Sequence, residues 1–195
     1  MKVNFVKTFI PVKDFVAVEK VGNKMLVRFD AVKDADMDAY SCVEGSVSAS
    51  EYNEQEMRRE YEAWKQKWAE KALVLAKKAK IAEIAAYDTS DKVNGFMLNG
   101  QIVWLDKATR VGLMNSTTIA KSAGQETTTL WLGGLKLVVD CDKAIKLLSA
   151  LEMYALECFN VTASHKQAVS QLTTIEDVKV YDYKSGYPKM LEMNV

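Results

Sequence analysis

From Glu51 to Ala86 the chain runs without a glycine or a proline, in a stretch rich in Glu, Lys, Ala, Arg and Gln. Nothing there breaks a helix, and most of its residues rank high in helix propensity. At about 1.5 Å per residue an unbroken helix over this span reaches ~50 Å, more than a compact core of this size needs. Its apolar positions, Met57, Tyr61, Trp64, Trp68, Ala72, Leu75, Ala79 and Ala82, recur at intervals of three and four. That is near-heptad spacing with one stutter between Trp68 and Ala72. A stripe of this kind serves either an amphipathic helix packed on its own domain or a helix that associates with copies of itself. Self-association is the expectation, with Met57, Tyr61, Trp64, Trp68, Ala72 and Leu75 as the oligomer interface. Lys65, Lys67, Lys71, Lys77, Lys78 and Lys80 make the later part basic, but the tryptophans lie on the apolar stripe rather than among the lysines, so a solvated face is expected and not a nucleic-acid site.

Ahead of the helix the pattern is β. Phe15–Val21 and Met25–Val32 flank Gly22-Asn23 as two strands around a tight turn, and Val3–Val12 adds another, ended by Pro11. Asp34, Asp36 and Asp38 suggest a Ca²⁺ loop, yet the glycine position is Ala39 and the twelfth position is Gly45 rather than glutamate, so an acidic turn is expected. Gly45–Ser50 reads as a linker, with Ser50 as the helix cap.

Beyond the helix, Asn99-Gly100 sits between Phe96-Met97-Leu98 and Ile102-Val103-Trp104, a pair suited to the two positive φ angles of a type I′ turn. Asp106 caps a helix over Lys107–Ala123. A second hairpin is expected around Gly133-Gly134, and two hairpins can join in one small antiparallel sheet covered by helices on one face, with the strand order left open. Asp140 or Asp142 caps a helix from Lys143 to Phe159, Thr162 caps another through Leu172, and Thr173 with Glu176 has capping-box spacing for a short last one. The fold class is therefore α+β: a small N-terminal β module (1–48, a docking piece), a long central helix (49–86, a candidate trimeric coiled coil), and a C-terminal α+β domain (87–195) with two β-hairpins and about four helices.

The run from Tyr87 to Asn115, with Leu130-Trp131-Leu132-Gly133-Gly134, Tyr154-Ala155-Leu156, Asn160-Val161-Thr162, His165-Lys166 and Tyr181–Pro188, resembles a C-terminal domain of uncharacterised function. That domain recurs in bacteriophage and prophage proteins, including tail-fibre-related and tail-assembly proteins, notably from gut bacteria. The resemblance covers about Lys77 to Leu191. It implies a phage protein assembled in the host bacterial cytoplasm and carried in the virion, with other phage virion proteins as partners. It also implies a homotrimer, as is common among fibre-like proteins.

Little in the residues points to catalysis, and no enzyme is expected. His165 is the only histidine, and Cys42, Cys141 and Cys158 form no CxxC pair, so no cofactor or usual zinc site is expected, and the thiols read as reduced and buried. No phosphate-cradling glycine motif occurs. The 26 basic and 26 acidic residues cancel, and no run resembles a secretion signal or a membrane span, so neither nucleic acid nor a membrane is expected as a partner. Trp104, Trp131, Tyr154, Tyr181, Tyr183 and Tyr187 have the chemistry to line a pocket. Of these, Tyr181, Tyr183 and Tyr187 are the expected partner contacts. The expected function is that of a fibre-like or connector virion protein. A non-virion chaperone for a tail fibre is the alternative, and a glycan-binding or glycan-cleaving tail tip is third.

Overall fold

The N-terminal strands close a four-stranded antiparallel sheet because each apolar run finds a neighbour at a turn or across the sheet. A computed structural model describes every residue from Met1 to Val195. Strands β1 (Val6–Pro11), β2 (Val18–Val21), β3 (Lys24–Lys33) and β4 (Ala39–Ser48) lie in the order β1-β4-β3-β2. Here the linker expectation is corrected: Gly45–Ser48 is the end of β4, paired with Lys24–Val27 of β3. Its glycine answers to packing, since a Cβ on Gly45 would stand 2.5 Å from the Phe5 ring. One sheet face holds Phe5, Val27 and Val47, covered by Met57 and Tyr61. On the other face Arg28 clamps three strands, its Nε donating to Glu44 of β4 at 3.0 Å and its Nη2 to Glu19 of β2 at 2.7 Å. The acidic run Asp34–Asp38 lies in the turn between β3 and β4.

Helix α1 (Glu54–Asp88) has 35 residues. It starts three residues later than Glu51, capped not by Ser50 but by Asn53, whose Oδ1 accepts from the Glu56 amide at 3.1 Å. The chain forms two compact units, Met1–Ala72 and Leu73–Val195, so the helix is not a separate domain. Its first half supplies Met57 and Tyr61 to one core, and its second half supplies Ile84 to another, formed with Val169 and Val178.

In the second unit, short α2 (Asp91–Asn94) leads into strands β5 (Phe96–Leu98) and β6 (Gln101–Val103). Asn99 and Gly100 take φ values of 47° and 81°, the pair of positive angles the turn requires. Helix α3 (Lys107–Ser122) and the hairpin of β7 (Thr127–Leu132) and β8 (Leu135–Asp140) follow. The hairpins do not join. The free edge of β5 is taken in parallel by β9 (Leu191–Met193), leaving β7-β8 a separate pair.

Both hairpins pack with α4 (Cys141–Gln171), a single helix of 31 residues where two were expected. Thr162 caps nothing: it is buried, and its hydroxyl donates sideways to Asp88 at 2.7 Å, so the helix passes through it. Asp140 caps α4 through the amides of Asp142 and Lys143. The last helix, α5 (Ile175–Val180), is capped by Thr174, one residue beyond the predicted Thr173. The main core gathers Phe96, Leu98, Leu130, Leu132, Leu148 and Leu151. Lysines of α1 are used here too, with Lys77 donating to the Ser170 carbonyl at the end of α4 at 2.7 Å. No helix is long and apolar enough to cross a membrane.

Candidate functional site

Part of the run on which the family resemblance rests, namely Tyr87, Thr162, His165 and the Tyr181–Pro188 segment, meets in one polar lock. Thr162 lies between Asp88, which accepts its hydroxyl proton, and the Tyr187 hydroxyl at 2.9 Å. One turn on, His165 Nδ1 meets the Tyr181 hydroxyl and its Nε2 the Ser185 carbonyl, both at 2.9 Å. Because the carbonyl can only accept, Nε2 carries the proton and Nδ1 accepts from Tyr181. Tyr87 packs edge-on against Tyr183 and Tyr187, and Lys80 lies over the Tyr183 ring. Asp182 caps its own turn through the Lys184 amide. That hydrogen bond, then one from Ser185, holds its carboxyl below the usual aspartate range. Both ring nitrogens of His165 and all three tyrosines are thus spent on pinning the Tyr181–Pro188 segment to α4 and α1. Tyr181, Tyr183 and Tyr187, expected as partner contacts, are half-buried parts of this lock.

The cysteines fit the same account. All three are buried and unpaired. Cys158 gives its Sγ–H to the Val93 carbonyl at 3.2 Å, and burial pushes its thiol above the ordinary range, the reverse of what a nucleophile needs. With His165 otherwise engaged, no Cys–His pair forms.

Of the six positions expected to form an oligomer interface, Met57 and Tyr61 are corrected, since both are buried in the N-terminal core. Trp64 and Ala72 are partly buried, while Trp68 and Leu75 are more than half exposed. Spacing alone told which residues share a face of the helix, not what lies opposite each of them.

A cleft of about 380 Å³ opens beside the lock, within the second unit, lined by Asp88, Asn94, Trp104, Lys107, Arg110 and Glu152, with Leu156 and Phe159 at its apolar side. Its floor is rigid. Arg110, buried although it is an arginine, donates from Nε to Glu152 at 2.8 Å and from Nη1 to the Leu105 carbonyl at 2.7 Å. Asn94 Nδ2 donates to the Asp88 carbonyl at 2.7 Å. Leu156 and Phe159 are exposed, and Trp104, which lines the same cleft, is 39% exposed. Sequence reasoning singled out Trp104 but not Arg110, Glu152 or Phe159. The only signal for these was the spacing of Glu152, Leu156 and Phe159 at i, i+4 and i+7 on one helix face.

Asp106, at the rim, accepts from the Thr109 hydroxyl at 2.6 Å and its amide at 2.8 Å, and these bonds in that order hold its carboxyl below the usual range. A depressed carboxyl stabilises the fold above its unfolded pKa, ~3.9, and that contribution fades as pH falls through the folded value. The melting temperature should therefore fall on acidification below about pH 4, and Asp106→Ala should lower it at pH 7 and flatten that slope. Melts followed by circular dichroism from pH 7 to pH 3 check both.

No curated protein and no solved structure matches the chain. A family model described as a domain of unknown function, DUF4376, matches residues 75–185, a span that holds the cleft and the lock up to Ser185, short of Tyr187 and Pro188, and that makes up more than half of the chain. The chain belongs to that family, DUF4376.

Proposed function

We propose that the protein is a structural component of a bacteriophage particle, a fibre-like or connector piece that acts through protein–protein contact and self-association. The resemblance of Lys77–Leu191 to domains of phage tail-fibre-related and tail-assembly proteins supplies the setting. The observation that carries the mode of action is the distribution of apolar exposure on α1. Its N-terminal aromatic residues are consumed by the chain's own core, while Trp68, Val74 and Leu75 stay in solvent at 52%, 64% and 56%. Between Lys65 and Lys71 every residue is exposed, so these turns present an open surface, with Lys65 alone reaching back to Asp30 at 3.6 Å. A helix that leaves large apolar side chains uncovered gains by burying them against another chain.

The association surface is accordingly Trp68, Ala72 and Leu75, without Met57 and Tyr61, and three parallel copies is the assembly proposed. Mass spectrometry of particles purified from the host tests the assignment to the virion. Peptides of this chain in fixed ratio to the known shell and tail proteins are expected. Absence from the particle, with a rise in soluble fibre protein on co-expression, would replace the virion role with that of a chaperone that leaves after assembly.

A further inference from the structure

We infer that the Trp104–Phe159 cleft is a saccharide site, built to take a neutral pyranose unit. Its volume of about 380 Å³ lies in the small-molecule range of roughly 300–1,000 Å³. The case rests on which valences the fold leaves unspent. Asp88 uses Oδ1 for Thr162, Glu152 uses Oε1 for Arg110, and Asn94 uses its amide group for the Asp88 carbonyl. Asp88 Oδ2, Glu152 Oε2 and Asn94 Oδ1 therefore remain as acceptors on side chains already fixed in place. On the donor side Arg110 spends Nε and Nη1 within the chain, leaving Nη2, and Lys107 forms no ion pair.

With three carboxylates against two cationic groups, and Arg110 already paired to Glu152, the cleft holds little net charge with which to select an ion of either sign. A cationic side chain would meet Lys107 and Arg110, and an anion would meet Asp88, Asp106 and Glu152. A sugar hydroxyl donates and accepts at once, carries no charge, and satisfies neighbouring carboxylate and ammonium groups together. The C–H face of a pyranose has the apolar surface that an indole or phenyl ring covers, and Trp104, Leu156 and Phe159 present such surface. Because the polar atoms are held by bonds to α1, α2, α3 and α4, binding would need little reordering, which limits its entropic cost.

The inference concerns the purified chain and stands or falls apart from the particle assignment. The test is a titration of the full-length protein with lactose, maltose, cellobiose and N,N′-diacetylchitobiose, and with 3′-sialyllactose and tetralysine as charged comparators. Ligand-observed NMR and tryptophan fluorescence would report binding. At least one neutral disaccharide is expected to bind with a Kd of ~1 mM or tighter. Phe159→Ala and Trp104→Ala should each weaken it by ~10-fold. Lys107→Met should weaken it by ~3-fold, and Trp131→Ala, outside the cleft, should leave it unchanged. Phe159 and Lys107 are exposed, so their substitution leaves the fold intact even if Trp104→Ala does not. Failure of all four neutral sugars to bind, preference for either charged probe, or full affinity in Phe159→Ala would overturn the inference.

Discussion

Tyr61→Ala is expected to remove most of the stability of the N-terminal unit. The Tyr61 ring stacks on Phe29 at 4.3 Å between centroids and meets Phe5 edge-on at 5.5 Å. Its hydroxyl donates to Asp30 at 2.5 Å. Asp30 sits in the irregularity that separates Phe29 from Val32 in β3, at a φ of 48° that few residues other than glycine adopt. The bulge thus has a use: it turns the Asp30 carboxylate toward the helix that covers the sheet. Burial first, and Asp30 second, push the phenol well above the ordinary tyrosine range, so it stays a donor across neutral pH. Deleting the ring should cost ~3–5 kcal/mol, and a unit of this size holds roughly 4–11 kcal/mol in all. Tyr61→Phe, which keeps the stacking and loses the bond, should cost only ~1–2 kcal/mol. Hydrogen exchange read by mass spectrometry checks this directly. Amides of β3 and β4 should lose protection in Tyr61→Ala and largely keep it in Tyr61→Phe. Unchanged protection in Tyr61→Ala would mean that the sheet does not depend on α1.

The second large effect is expected at Tyr154, whose place in the family resemblance invites a functional reading. Its hydroxyl donates to the carbonyls of Val93 and Gly95, at 2.9 and 3.1 Å, and its ring belongs to the main core. Those carbonyls bracket the exit from α2 into β5, so one phenol fixes the start of the first hairpin against α4. Tyr154→Ala should cost ~3–5 kcal/mol, and Tyr154→Phe ~1–2 kcal/mol, mostly through the Gly95 carbonyl, which loses this donor, while the Val93 carbonyl keeps Cys158. Urea unfolding of both variants measures the difference. A Tyr154→Phe protein with unaltered stability would instead free this hydroxyl for a role in binding or chemistry.

Local chemistry carried part of this fold in plain view. Asn99-Gly100 demanded its turn, Asp106 and Asp140 their caps, and the glycine-free run its helix, since each signal acts over a few residues. Where the deciding contact is remote, the local signal misleads. Gly45 suggested a linker, but its missing side chain makes room for Phe5 at the other end of the module. Thr162 had the chemistry of a cap and was spent on Asp88, 74 residues away. Three residues at Leu191–Met193 carry no strand signal of their own and are drawn into one by the open edge of β5.

The site was less legible than the fold. The tyrosines Tyr181, Tyr183 and Tyr187 drew attention as candidate partner contacts, and their rings and hydroxyls are engaged with their own chain. Arg110 and Glu152 of the cleft lie 42 residues apart, and nothing local pairs them. The near-heptad stripe of α1 was visible, yet its division into core and free surface depends on where the sheet ends.

The mass of the protein in solution tests the central claim, that α1 ends its own core early in order to join other copies. Light scattering after size exclusion, over a hundredfold range of concentration, would be compared for the native chain and for Trp68→Ser combined with Leu75→Ser. The native chain is expected at three times its monomer mass of 21.8 kDa, and the double variant near the single mass with an unchanged melting curve. A native chain that stays monomeric at its highest concentration would contradict the account.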